Sequence, residues 1–228
     1  MTVDEVLEEL RQAADPSRLP GMARVGIVVE GALGVSVPHI RRIAKAAGHD
    51  TALAQALWET GIHEARMVAG LVADPATLSF GRMRAWARDI DSWDLGDLLA
   101  DAFAATPHVD RSIDEWSRAR HGFTRRCAFA MIARVAVSDK GRPDGDFLAW
   151  LPLIRRAATD ERNEVKKAVS WALRQIGKRN PTLYRAARIE ANAMLEGALA
   201  SGSRSARWIA RDVLRELGLP AHAARLGG

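Results

Sequence analysis

The sequence predicts an all-α fold, and two observations support this prediction. Apolar residues recur at helical spacing (i, i+3, i+4, i+7) in nearly every segment between clusters of Gly, Pro, Asp and Ser. No segment alternates apolar and polar residues between hairpin turns, as a half-buried strand would. The clearest helical segments, in chain order, are TALAQALWETG, HEARMVAGLVAD, RRCAFAMIARVAV, EVKKAVSWALRQIG and ARWIARDVLREL.

These helical segments resemble one another. Arg126, Lys167 and Arg207 occupy similar places in their segments and follow at intervals of 41 and 40 residues. The segment around Arg66 is a fourth copy with less regular spacing. A helical unit repeating at roughly 40 residues is typical of HEAT-like solenoids, whose stacked units form an extended concave face. We therefore predict one HEAT-like α-solenoid domain over residues 1–228, with a basic concave face.

The composition is that of a soluble globular protein, with 48% hydrophobic and 27% charged residues in a chain of 228. The first twenty residues are acidic and amphipathic, unlike a signal peptide, and no apolar run approaches the roughly 20 residues of a membrane span. The single cysteine, Cys127, excludes an internal disulfide and a cysteine-based zinc site. We expect a cytoplasmic monomer that makes no membrane contact.

Charge is distributed unevenly along the chain. Residues 1–117 contain 11 Lys and Arg against 18 Asp and Glu, whereas residues 118–228 contain 22 against 10. This asymmetry indicates a surface for a polyanion in the second half, and nucleic acid is the commonest polyanion. The alternative is a basic surface that only faces water.

Two short patterns contain the candidate site residues. In DSWDLGDLL, Trp93 and Asp97 are four residues apart, which places a ring and a carboxylate on one helical face. Lys167, Trp171 and Arg174 form a second stripe at i, i+4 and i+7. Each pattern has a structural alternative: an ordinary amphipathic helix for the first, and an inward-packed Trp171 with cations at its edges for the second.

Other chemistries are not supported. The six histidines show no metal-ligand spacing, and the chain contains no phosphate-binding glycine loop, no dinucleotide fingerprint and no GxSxG elbow. We therefore expect no metal and no cofactor. His63, Glu64 and Arg66 are expected to cap and brace a helix, and Cys127 to be buried. The five other tryptophans are expected to pack in the core or between repeats: Trp58, Trp86, Trp116, Trp150 and Trp208.

The order ALWETGIHEAR, DSWDLGD, FTRRCAFA and VKKAVSWALRQIGKRNP resembles the AlkD-type DNA alkylation repair family, most strongly over residues 21–215. The resemblance implies a HEAT-like solenoid that binds duplex DNA and cleaves the N-glycosidic bond of cationic N3- or N7-alkylated purines. It implies Asp97 as the catalytic carboxylate, with Trp93 and Trp171 contacting the sugar. The chain departs from the family pattern at Val25 in MARV, where a tyrosine is expected.

The same resemblance implies that Arg126 and Arg174 bind the DNA backbone. Neighbouring cations complete the predicted DNA-binding set: Arg125, Lys166, Lys167 and Arg207.

This chemistry suits the residue types. A cationic alkylpurine leaves as a neutral base, so the enzyme needs no general acid and one carboxylate is enough to stabilise the sugar cation. Indole faces also attract a cation. Two other function classes stay open: a non-catalytic HEAT-repeat protein that binds distorted or branched DNA, which would need the basic surface and not Asp97, and a protein-interaction scaffold.

Overall fold

The structure, a computed structural model, describes residues 1–226, and these residues confirm the all-α prediction. They form fourteen α-helices and one short 3-10 helix, and none of them belongs to a β-strand. The chain divides into two compact units, Met1–Val109 and the residues from Asp110 onward. The single domain over residues 1–228 stays a prediction.

The first unit is built around one central helix. Its helices are α1 (Val3–Gln12), α2 (Leu19–Arg24), α3 (Val37–Ala47), α4 (Thr51–Glu59), α5 (His63–Val72), α6 (Phe80–Asp89) and α7 (Trp93–Ala104), with the 3-10 helix at Pro16–Arg18. Helix α5 packs against α1, α3, α4 and α7. Because it is enclosed on nearly every side, eight of its ten residues are buried.

The second unit consists of two sets of packed helices. They are α8 (Val109–Trp116), α9 (Gly122–Ser138), α10 (Asp144–Ala157), α11 (Asn163–Gly177), α12 (Pro181–Ser201), α13 (Arg204–Leu217) and α14 (Pro220–Leu226). Helices α9, α11 and α13 pack in sequence, and α10 packs against α12. Gly177 permits the close approach at the end of α11, since a Cβ there would lie 2.6 Å from a Leu217 methyl group.

The helix starts define the register of the repeat. Helices α9, α11 and α13 begin at Gly122, Asn163 and Arg204, two intervals of 41 residues. The residue before each of them, and before α5, has an extended backbone with φ between −71° and −62° and ψ between 116° and 130°. The four helices therefore begin in the same way.

This register corrects one sequence prediction. Arg207 is the fourth residue of its helix, and its equivalents are Arg125 and Lys166 rather than Arg126 and Lys167. Arg66 is the fourth residue of α5. The fifth residue differs in chemistry from helix to helix: Met67 in α5, Arg126 in α9, Lys167 in α11 and Trp208 in α13. In α7, whose preceding residue Ser92 has a different backbone (φ −144°, ψ 156°), the fifth residue is Asp97.

A buried carboxylate fixes the segment between α2 and α3. Glu64 in the first turn of α5 is fully buried, and it accepts hydrogen bonds from the backbone N–H groups of Leu33 (2.9 Å), Gly34 (2.7 Å) and Val35 (3.3 Å). Gly34 has φ +78°, and a Cβ there would lie 2.2 Å from the Asp15 carbonyl oxygen, so only glycine fits. The backbone N–H groups of this segment thus provide the Glu64 carboxylate with the hydrogen bonds that water would otherwise make.

We expect Glu64→Gln to lower the free energy of unfolding by about 2 kcal/mol or more. The glutamine NH₂ group would replace one of the two carboxylate oxygens that now accept bonds from the three backbone N–H groups. Urea unfolding measures this change. Glu30→Gln is the matched control, since Glu30 is exposed and its substitution should change stability by less than about 0.5 kcal/mol. Equal effects of the two substitutions would contradict the role assigned to Glu64.

Candidate nucleic-acid interface

Trp93 and Asp97 lie on one face of α7. Trp93 is the first residue of the helix and Asp97 follows one turn later. The Trp93 side chain is 37% exposed, and its indole Nε1 donates to the Val25 carbonyl oxygen at 3.1 Å. Asp97 is half-buried. A ring with a fixed orientation and a partly accessible carboxylate therefore share this face.

The contact with Val25 involves the main chain. Val25 directly follows α2, its side chain is exposed, and its carbonyl holds the indole N–H of Trp93. The position at which the sequence departs from the family pattern thus lies beside a candidate site residue. A valine side chain supplies no ring there, but the carbonyl contact does not depend on the side chain.

A histidine–carboxylate pair holds the first turn of α7. His63 Nε2 lies 2.9 Å from Asp94 Oδ2, and both side chains are largely buried. Burial disfavours the charged forms, but the hydrogen bond and the opposite charge outweigh it: the pKa of His63 is raised and the pKa of Asp94 is lowered. The pair positions the helix turn that carries Trp93.

In the second unit, the stripe on α11 is only partly available to a ligand. Lys167 is exposed and makes no hydrogen bond or ion pair within residues 1–226. Trp171 is half-buried, with the Arg134 guanidinium 5.1 Å from its ring centroid. Arg174 Nε lies 3.4 Å from Asp212 Oδ2 on α13. The alternative of an inward-packed Trp171 with cations at its edges therefore describes part of the arrangement.

Arg125 and Arg126 both bind protein atoms. Arg125 donates through Nε to the Ser117 carbonyl and pairs through Nη1 with Asp160, each at 2.9 Å. Arg126 is only 6% exposed, and its Nη1 donates to the Glu164 carbonyl at 2.8 Å. These contacts join α9 to the segments on either side of it.

The other two predicted cations lie nearer to solvent. Lys166 Nζ lies 5.1 Å from the ring centroid of Trp208, and both Lys166 and Arg207 are half-exposed. Arg207 Nε is buried without a hydrogen-bond partner among the described residues.

Comparison with known proteins agrees with these observations. The family described as "DNA alkylation repair enzyme" matches residues 6–217. The chain belongs to this family. No curated protein matches it.

One similar solved structure is described as "A new family of proteins related to the HEAT-like repeat DNA glycosylases with affinity for branched DNA structures". It is 19% identical, the match covers 84% of this chain and 83% of the other, and the TM-score is 0.74. The likeness shows a shared fold and confirms the predicted HEAT-like architecture.

Two further observations bear on candidate ligands. Residues 1–226 contain no group of three or more His, Cys, Asp or Glu side chains arranged to hold a metal ion. None of their helices is long and apolar enough to cross a membrane.

Several predictions for residues with a structural part are confirmed. Cys127 is buried, as are Trp58, Trp86, Trp116 and Trp150. His63, Glu64 and Arg66 brace the start of α5, and Arg66 does so through its Nε, 3.4 Å from the Trp58 carbonyl, and its guanidinium over the Trp58 ring. They do not cap the helix, because the N-cap position is Ile62, which has no side-chain capping bond.

Trp208 does not lie in the core, because its side chain is 40% exposed, and the packing between repeats that the prediction allowed is limited to its contact with Lys166 on α11. The sequence contained a usable signal: Arg204, Trp208 and Arg211 repeat the i, i+4, i+7 spacing of Lys167, Trp171 and Arg174. Arg134 is a second missed residue, and its contact with Trp171 crosses between helices without a local pattern.

The shifted pKa values predict how His63→Gln alters stability with pH. Because the pKa of His63 is raised in the folded protein, its contribution to folding stability is complete below the ordinary pKa of about 6.5. This contribution is lost as the pH rises through the raised pKa. Because the pKa of Asp94 is lowered in the folded protein, its contribution to folding stability is complete above the ordinary pKa of about 3.9. This contribution is lost as the pH falls through the lowered pKa. The stability difference between wild type and His63→Gln should thus be largest between about pH 4 and pH 6.5.

Urea unfolding of both proteins across this range measures the difference. His49→Gln is the control, because His49 is exposed and makes no ion pair in the described part of the chain. A His63→Gln effect that stays constant or grows at alkaline pH would show that the pair does not contribute as a charged pair.

Proposed function

We propose that this protein is a DNA glycosylase of base excision repair that releases cationic N3- or N7-alkylated purines from duplex DNA. The supporting observation is the face of α7, where the half-buried Asp97 lies one turn from the exposed, oriented indole of Trp93. Membership of the DNA alkylation repair family supports the same reaction class.

The reaction needs little from the protein. The bond between the sugar C1′ and the purine nitrogen breaks, its electron pair neutralises the cationic base, and the sugar becomes an oxocarbenium-like cation. Water then adds to C1′ and loses a proton, which gives the free base and an abasic site. Asp97 supplies the opposite charge to the sugar cation, and the electron-rich face of Trp93 adds a further attraction. The family resemblance gives Trp171 the part of a second such ring, and that assignment depends on its sequence motif alone.

In this proposal the DNA backbone is bound by cations of the second unit. Lys167 is the most available, with Arg174, Lys166 and Arg207 partly exposed beside it. The partly exposed Arg125 is proposed as a further backbone contact, whereas Arg126 is almost fully buried and, through its bond to the Glu164 carbonyl, keeps α9 in place for the others. Such contacts orient the duplex without selecting its sequence.

A second candidate function is a binding protein for distorted or branched DNA that has no excision activity. It is favoured by the similar solved structure, whose family is described as having affinity for branched DNA structures. Both functions need the cations of the second unit, whereas only the glycosylase needs the Asp97 charge. An experiment on Asp97 therefore separates them.

We expect Asp97→Asn to lower base release about a hundredfold or more, because a preorganised charge is lost where the transition state becomes cationic. Release of N7-methylguanine from an otherwise matched duplex is the measurement, and duplex affinity should hold or increase. A uracil in the same position should be a poor substrate, since a neutral base needs protonation to leave.

Asp91→Asn is the matched control, because Asp91 is an exposed carboxylate just before the same helix. The Asp91→Asn variant should release N7-methylguanine at the wild-type rate. Wild-type excision by Asp97→Asn would remove Asp97 from the mechanism and favour the binding protein. Efficient release of uracil would show that the leaving group is protonated after all.

We expect duplex affinity to fall steeply with salt, and Lys167→Ala to lower the slope of log affinity against log salt by about 0.9, as one lost phosphate contact would. Fluorescence anisotropy at several salt concentrations measures both. Lys45→Ala on α3 is the control, since Lys45 is an exposed cation of the acidic half. An affinity independent of salt would exclude backbone binding.

A further inference from the structure

Trp208 is an exposed tryptophan surrounded by cations. Its side chain is 40% exposed, and its indole N–H makes no hydrogen bond within residues 1–226. The buried side of α13 is formed by other residues: Ala206, Ile209, Ala210, Val213 and Leu217. Two-fifths of the side chain is therefore accessible to a ligand, although the rest of it packs on the protein.

The cations around Trp208 come from two helices. Lys166 on α11 places its Nζ 5.1 Å from the ring centroid. Arg204 and Arg211 lie one turn before and one turn after Trp208 on the same helix face. Arg211 is exposed and makes no ion pair in the described chain. The Arg204 side chain is 88% exposed, with its Nε 3.7 Å from Glu161.

Glu161 is the acidic group beside this cluster, and it is already engaged. Its Oε1 accepts from the Ser205 backbone N–H at 3.0 Å and from the Ser203 hydroxyl at 3.3 Å. These bonds lower the pKa of Glu161 and hold the carboxylate at the start of α13. The ring contacts Lys166 and has Arg204 and Arg211 on its own helix face. The acid one turn after the ring, Asp212, is buried and already bound by Ser170 and Arg174.

We propose that Trp208, Lys166, Arg204 and Arg211 form a stacking site for an unpaired base in a single-stranded segment of DNA. The proposal rests on the DNA binding proposed above and is independent of base excision. An indole stacks on any base that is free of its own neighbours, and cations on both sides take the adjoining phosphates. Arg204 and Arg211 are about 10 Å apart along the helix axis, so they can reach phosphates on both sides of one stacked base.

The presence of the Trp208 indole among the cations indicates which form of DNA binds there. In a continuous duplex the base faces are covered by neighbouring base pairs, so a duplex offers Trp208 only its backbone. A cluster meant for duplex phosphates alone would gain nothing from an aromatic ring among its cations. An unpaired base uses both parts of the cluster.

The test compares a forked DNA, which has unpaired arms, with a blunt duplex of the same paired sequence, using fluorescence anisotropy at one salt concentration. We expect Trp208→Ala to weaken fork binding about tenfold, as the loss of one stacked base would. Blunt-duplex affinity and base release from an alkylated duplex should stay at wild-type values. Trp208→Phe keeps an aromatic face and should retain most of the fork affinity.

Lys166→Met is the contrasting variant, because it keeps an aliphatic stem against the ring and removes the charge. It should weaken fork and duplex alike and lower the salt slope of both. Thermal melting of each variant shows whether the fold is intact, which must be measured because most of the Trp208 side chain is buried.

Three results would overturn the proposal. They are a fork affinity unchanged in Trp208→Ala, an equal loss for fork and duplex, or a Trp208→Phe variant as weak as Trp208→Ala. Absence of base release by the wild type would instead contradict the glycosylase, and the ratio of fork to duplex affinity would still decide the role of Trp208.

Discussion

The first turn of α5 is the constraint on which the first unit depends. Three polar side chains of this turn form hydrogen bonds with three different elements. His63 binds Asp94 on α7, Glu64 binds the backbone before α3, and Arg66 binds the carbonyl of Trp58 on α4. A buried charge without a partner costs several kcal/mol, so the contacts of the buried Glu64 and of the His63–Asp94 pair are required once the helix is enclosed. The elements that present Trp93 are thus held in place by one helix turn of α5.

The second unit contains the same kind of contact between an arginine near the start of a helix and a backbone carbonyl. Arg125 donates to the carbonyl of Ser117, eight residues earlier, as Arg66 does to that of Trp58, also eight residues earlier. Arg126 extends the connection forward to the carbonyl of Glu164 on α11. Cations near the beginnings of these helices therefore serve the packing of the repeat as well as its net charge, and a count of basic residues overstates the surface that is available to a polyanion.

The sequence was sufficient for the helical class, the family, the buried tryptophans and the bracing residues of α5, because these follow from periodicity and from motifs within one helix. It misplaced the repeat register by one residue, since the first helical residue depends on the backbone before it and not on the apolar pattern. It also did not predict that Trp208 is partly exposed. Periodicity identifies a face of a helix, but whether that face meets a neighbour depends on contacts such as those of Lys166 and Arg134, which lie on other helices.

The fifth position of the repeated helices carries a thioether in α5, a guanidinium in α9, an ammonium in α11 and an indole in α13. The backbone before α9, α11 and α13 is nearly the same, so the side chain at this position can change without a change in how the helix begins. The repeat thus separates the scaffold from the chemistry that it presents. Where this position is exposed, as at Lys167, a single substitution can change what the surface binds, whereas at the buried Arg126 it would also remove a contact between α9 and the start of α11.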